Sequence, residues 1–107
     1  MMKQYEVVIT PGADQDLGEI FEYIASYLKA PLAALNLVEV LHASLKELSV
    51  MPYRHSLSKD PFLAKQGFHA FIVENYLIFY VVDDCTETVI VHRIVYAKRN
   101  YRDLFTL

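Results

Sequence analysis

The chain has little of what would staple a small fold or unravel it. Its one cysteine, Cys85, has no mate for an internal disulfide and no companions for a cysteine-based zinc site. With three glycines, 54% hydrophobic residues and 21% charged ones, it lacks the make-up of a disordered segment. The longest apolar run, Tyr76 to Val82, is far too short to span a bilayer, so no membrane association is expected. The opening MMKQYEVVIT holds one lysine and only a brief apolar stretch; no signal peptide is expected, and a cytoplasmic location is the simplest expectation. Repeats and low-complexity tracts are absent as well. The 107 residues suffice for one hydrophobic core, and a single domain over 1–107 is expected.

A basic excess is also missing. The net charge of −3 argues against broad coating of nucleic acid, which needs a basic surface. The charge is uneven, however. Residues 1–47 set Lys3, Lys29 and Lys46 against Glu6, Asp14, Asp16, Glu19, Glu22, Glu39 and Glu47, while cations slightly outnumber acids in residues 48–107. A dipolar surface follows, with a partner-binding face on one side and an anion-facing site on the other.

The hydrophobic pattern is continuous. QYEVVIT (4–10) reads as a strand rich in β-branched side chains. Thr10-Pro11 then reads as a helix start, a hydroxyl cap before a proline at the first helical position, with Asp14 and Asp16 near the positive end of the helix dipole. Leu17, Ile20, Phe21, Ile24 and Leu28 recur at helical spacing. Pro31 opens a second period, in which Ala34, Val38, Leu41, Leu45 and Leu48 share a stripe that ends at Met51-Pro52. So short a break folds the two helices into a hairpin. Residues 52–67 are irregular. FHAFIV (68–73), YLIFYVV (76–82) and TVIVHRIVYA (88–97), joined by polar turns, predict an antiparallel meander whose apolar middle strand is central. The fold class is α+β in the order β-α-α-β-β-β: an antiparallel sheet, the helical hairpin on one face, the other face left open.

The candidate chemistry gathers in VIVHRIVYAKRNYRDLF (89–105), where Arg93, Lys98, Arg99 and Arg102 stand with Tyr96 and Tyr101. Strand alternation puts Arg93 on a face with Val89, Val91 and Val95, either held against a site or paired with an acid such as Glu74. His92 falls on the other face with Ile90, Ile94 and Tyr96. His55 and His69 flank the irregular stretch. The histidines and acids show no metal-ligand spacing, so neither a metal nor a small-molecule cofactor is expected.

In their order and spacing, ITPGADQDLGEIFEYIASYL, PLAALNLVEVLHASLKELSVMP, VENYLIFYVVDD and IVYAKRNYRDLF resemble the RelE/ParE superfamily, toxins of bacterial type II toxin–antitoxin (plasmid stabilisation) systems. The resemblance covers nearly the whole chain. It implies a microbial-RNase-like α+β fold, growth arrest, and a cognate antitoxin protein that wraps the toxin. It also implies one of two targets: messenger RNA on the ribosome, cut by RelE-like members, or DNA gyrase, poisoned by ParE-like members without RNase activity. A toxin fold kept only to bind an antitoxin is the further alternative.

RelE-like cleavage uses the RNA's own 2′-hydroxyl, so the protein must orient the backbone, stabilise the phosphorane and manage protons. On that reading Arg99, Arg93 and Tyr101 are the catalytic candidates, and Lys98, Arg102, Tyr96 and His69 the substrate-binding ones. Arg99 matches the basic residue that follows the last strand in RelE-like enzymes. Leu77 stands where those enzymes have an arginine, and Phe105 where they have a tyrosine.

Overall fold

The structure is a computed structural model that describes residues 3–105. Strand β1 (Glu6–Ile9) leads into helix α1 (Pro11–Glu22), whose chain continues through one π-helical turn, Tyr23–Tyr27. Helix α2 (Pro31–Glu47) returns beside it. A short helix α3 (Pro61–Lys65) precedes strands β2 (His69–Val73), β3 (Tyr76–Asp83) and β4 (Thr88–Tyr96), and a 3₁₀ turn spans Arg102–Phe105. The sheet order is β1-β4-β3-β2.

The cap at Thr10 forms as the sequence indicates: its hydroxyl oxygen accepts from the Ala13 amide at 3.1 Å and Pro11 opens the helix. The same motif recurs at Asp60-Pro61, where the carboxylate accepts from the Phe62 amide at 2.9 Å and starts α3 inside the stretch expected to be irregular. Residues 56–58 are extended there too. Ser58 donates its amide to the Phe68 carbonyl and Ala70 to that of Ser56, covering part of the outer edge of β2.

The meander β2–β3–β4 is antiparallel, as expected. β1 instead lies parallel to β4, Glu6 opposite Thr88 through Ile9 opposite Val91, so the sheet is mixed. The hairpin covers one sheet face: Leu17, Ile20, Leu41, Leu45 and Leu48 pack on Ile78, Tyr80, Val89, Val91 and Ile94. The opposite face, expected to be open, is covered by the chain itself. Leu63 from α3, with Tyr101, Leu104 and Phe105, packs on Phe68, Phe79 and Val95. β3 is therefore buried from both sides, which explains why every position from Tyr76 to Val82 is apolar.

Strict alternation fails in β4. Phe79 lies opposite Arg93, but Tyr80 lies opposite Val91, so His92 is an extra residue that bulges the strand. Beyond the bulge the sides exchange: Ile94 joins Val89 and Val91 under the helices, and Val95 turns to Phe68 and Phe79. The grouping of Val95 with Val89 and Val91, and of His92 with Ile94, is corrected by that one inserted residue.

Candidate functional site

The bulge is held by α1. Thr10 donates its hydroxyl to the His92 carbonyl at 2.9 Å. One turn and a half further on, Asp16 is buried among the apolar residues of α1. Its Oδ2 accepts from Arg93 Nε at 2.8 Å and from the Ile94 amide at 2.9 Å, while Oδ1 accepts from Arg93 Nη2 at 2.9 Å. Both carboxylate oxygens thus meet the guanidinium fork. Arg93 is paired with an acid, Asp16 rather than Glu74, and the bond to that carboxylate raises its pKa further. Gly12 lies under the arginine stem: a Cβ there would sit 3.4 Å from Arg93 Cδ.

The cationic segment does not converge on one point. Tyr96 and Arg99 line a groove of about 830 Å³ between the hairpin and the ends of β3 and β4. Its apolar floor includes Ile20, Ile24, Leu37 and Ile94, and Glu19 and Glu74 share it with Arg99. Tyr96, 44% exposed, meets Tyr76 edge-on at 6.0 Å, and burial raises the Tyr76 pKa. Lys98 is exposed in the turn after β4.

Tyr101 and Arg102 lie on the other side of the sheet. The Tyr101 ring sits 5.0 Å from Phe79 and lines a smaller cavity of about 420 Å³ with Ser58, Lys59 and Leu77. Arg102 lies over the Phe62 ring at 5.0 Å, with Nε 3.8 Å from the Asp60 carboxylate. Phe105 meets both Phe68 and Phe79 edge-on at 5.0 Å. His69 is in a third place. It is buried, stacked on Tyr80 at 5.0 Å, and its Nδ1 donates to the His55 carbonyl at 2.9 Å. His55 stacks on Phe71 at 3.8 Å, and burial, then Arg54, lowers its pKa; burial also lowers that of His92, which packs edge-on against Phe68.

Two features escaped the sequence reading. The first is the role of Asp16, signalled only by a carboxylate at core spacing with Ala13, Leu17 and Ile20. The second is Asp84, which accepts hydrogen bonds from the hydroxyls of Tyr5 and Tyr53; these bonds lower its pKa and push that of Tyr5 up to about 12. No local pattern marks partners so far apart in the chain. Among the described residues no group of three or more His, Cys, Asp or Glu side chains is placed to hold a metal ion, and no helix is long and apolar enough to cross a membrane.

A helical hairpin on a four-stranded mixed sheet is the topology of the RelE/ParE toxins. The chromosomal ParDE toxin–antitoxin system of Pseudomonas aeruginosa contains a chain that superposes with a TM-score of 0.73 at 19% identity, covering 90% of this chain and 99% of that one. A RelBE toxin–antitoxin complex from Mycobacterium tuberculosis gives 0.59 at 22% identity, over 87% and 98%. An arginine-substituted mutant of Escherichia coli RelE in the free state gives 0.56 at 18% identity, over 89% and 85%. No curated protein sequence matches this chain. Residues 7–101 match the family described as the ParE toxin of the type II toxin–antitoxin system parDE, and the chain belongs to that family.

Proposed function

We propose that this toxin arrests growth by contact with a target protein in the cytoplasm, as the ParE resemblance implies for DNA gyrase, and not by cutting RNA. The observation that carries this reading is the filling of the sheet face opposite the hairpin. Leu77 and Phe105 stand there in place of an arginine and a tyrosine, and both belong to the apolar layer around Phe79, Phe68 and Val95. Stabilising a phosphorane requires donors preorganised around one point. Here Arg93 is bound to Asp16, Arg102 lies on Phe62, and Arg99 is in the groove on the far side of the sheet. Tyr101 is packed on Phe79.

The second reading, ribosome-dependent messenger cleavage, draws support from the exposure of Lys98 and Arg99 next to Tyr101 in the chain. Mapping messenger 5′ ends soon after induced expression separates the two. Growth arrest without new codon-phased ends is expected; codon-phased ends that vanish in Arg99→Ala would establish the cleavage reading. A chain that arrests nothing when expressed alone would be an antitoxin-binding module.

The neutralising partner on this reading is a cognate antitoxin, and the groove suits one of its segments. An amphipathic helix would lay its apolar side on Ile20, Ile24, Leu37 and Ile94 and set an acid against Arg99. Such a pairing sets register and speeds association more than it adds packing.

A further inference from the structure

At the outer edge of the groove, the tip of the hairpin carries exposed apolar side chains. The π-helical turn stacks Tyr23 on Tyr27, ring centroids 5.1 Å apart and planes 16° from parallel, yet the two are 51% and 75% exposed. Leu32 at 75% and Leu35 at 48% follow at the start of α2. The backbone that presents them is unfavourable in two ways. Leu28 donates its amide five residues back to Tyr23, the spacing of the rare π-helix, and Lys29 has φ 54°, a conformation that costs a side chain energy. Exposed apolar patches mark interaction sites, and π-helical turns are frequent at functional ones.

The charges around it define the partner. Helical spacing continues the Tyr27–Tyr23 row to Glu19 and the Leu32–Leu35 row to Glu39, so each apolar row ends in an exposed glutamate. With Glu22 these carboxylates outnumber Lys29, the exposed cation of the turn, so a second copy docked symmetrically would set one net-acidic patch on another, and nucleic acid would be repelled. A protein surface that sets arginines beside apolar side chains fits both features, since a guanidinium can stack on a tyrosine ring and pair with a carboxylate.

Resting on the contact-toxin reading above, we propose that this tip is the surface that grips the target protein, through a patch of apolar residues bordered by arginine. Tyr23 and Leu28 also line the groove, so a segment seated there overlaps the tip's edge and would block the target without touching Tyr27 or Leu32.

The test uses purified toxin and DNA gyrase acting on relaxed plasmid. Tyr27→Ser with Leu32→Ser alters exposed residues only, and circular dichroism with urea denaturation checks that the fold is kept. The concentration needed for half-inhibition is expected to rise about tenfold or more, the size of loss seen when anchor residues are truncated. Glu19→Lys with Glu39→Lys is expected to weaken inhibition too, and more strongly at low salt. Full potency in the folded serine variant would overturn the assignment while leaving the contact-toxin reading intact; failure of the wild type to inhibit would overturn both. A wild-type dimer in sedimentation, dissociated by the serine substitutions, would give the tip to self-association and overturn the proposal.

Discussion

Asp16 on α1 holds Arg93 through both carboxylate oxygens and the Ile94 amide through one, so a helix side chain closes over the bulge in β4. The bulge inserts His92 and thereby decides which of Ile94 and Val95 faces the hairpin. The groove depends on it, because Ile94, Tyr96 and Arg99 all follow the inserted residue.

Asp16→Ala should therefore cost more than a surface ion pair. It strands a partly buried guanidinium and an amide at once; because the Arg93 side chain remains 25% exposed, the loss should lie toward the low end for broken buried pairs, about 3 kcal/mol. Urea denaturation measures it. Arg93→Met alone should also destabilise, and the double variant Asp16→Asn with Arg93→Met should recover part of the loss, since neither charge is left buried.

The hairpin turn should yield stability to one glycine. Lys29 sits at φ 54°, and glycine adopts that conformation without a Cβ penalty, so Lys29→Gly should stabilise by about 0.5–1 kcal/mol. Lys29→Val should destabilise by a similar amount or more. The urea midpoints of the two variants should move in opposite directions.

Acid should weaken the fold through two half-buried imidazoles. His55 and His92 both have pKa values held below the usual range by burial. The unfolded chain then binds protons more readily, so their contribution is complete above about pH 6.5 and is lost as pH falls through the depressed values. The drop in thermal midpoint between pH 7.5 and pH 5 should shrink in His55→Phe, which keeps a ring for stacking on Phe71. An unchanged drop would place the acid sensitivity elsewhere.

What could be read along the chain was what is encoded locally. Thr10-Pro11 marked a helix start, the period of Leu41, Leu45 and Leu48 marked a buried stripe, and polar turns at Glu74-Asn75 and Asp83–Glu87 marked the meander. Asp60-Pro61 carried the same signal as Thr10-Pro11 but was submerged in a stretch with two prolines and several cations. The bulge left no mark, because His92 is compatible with an ordinary strand and only the pairing with β3 reveals the extra residue. The run from Arg93 to Arg102 looked like one cationic site because its members are close in sequence, and the turn after Tyr96 that separates them has no sequence mark of its direction. In the fold its members part to opposite sides of the sheet, Arg99 to the groove and Tyr101 and Arg102 to the layer over Phe79.

The central claim is that this toxin disables a protein by binding it, and gyrase-catalysed supercoiling of relaxed plasmid with purified components tests it most directly. The account expects inhibition that rises with toxin concentration, is relieved by the cognate antitoxin, and persists in Arg99→Ala. Unimpaired supercoiling by gyrase, together with cleavage of messenger on purified ribosomes that Arg99→Ala abolishes, would contradict it.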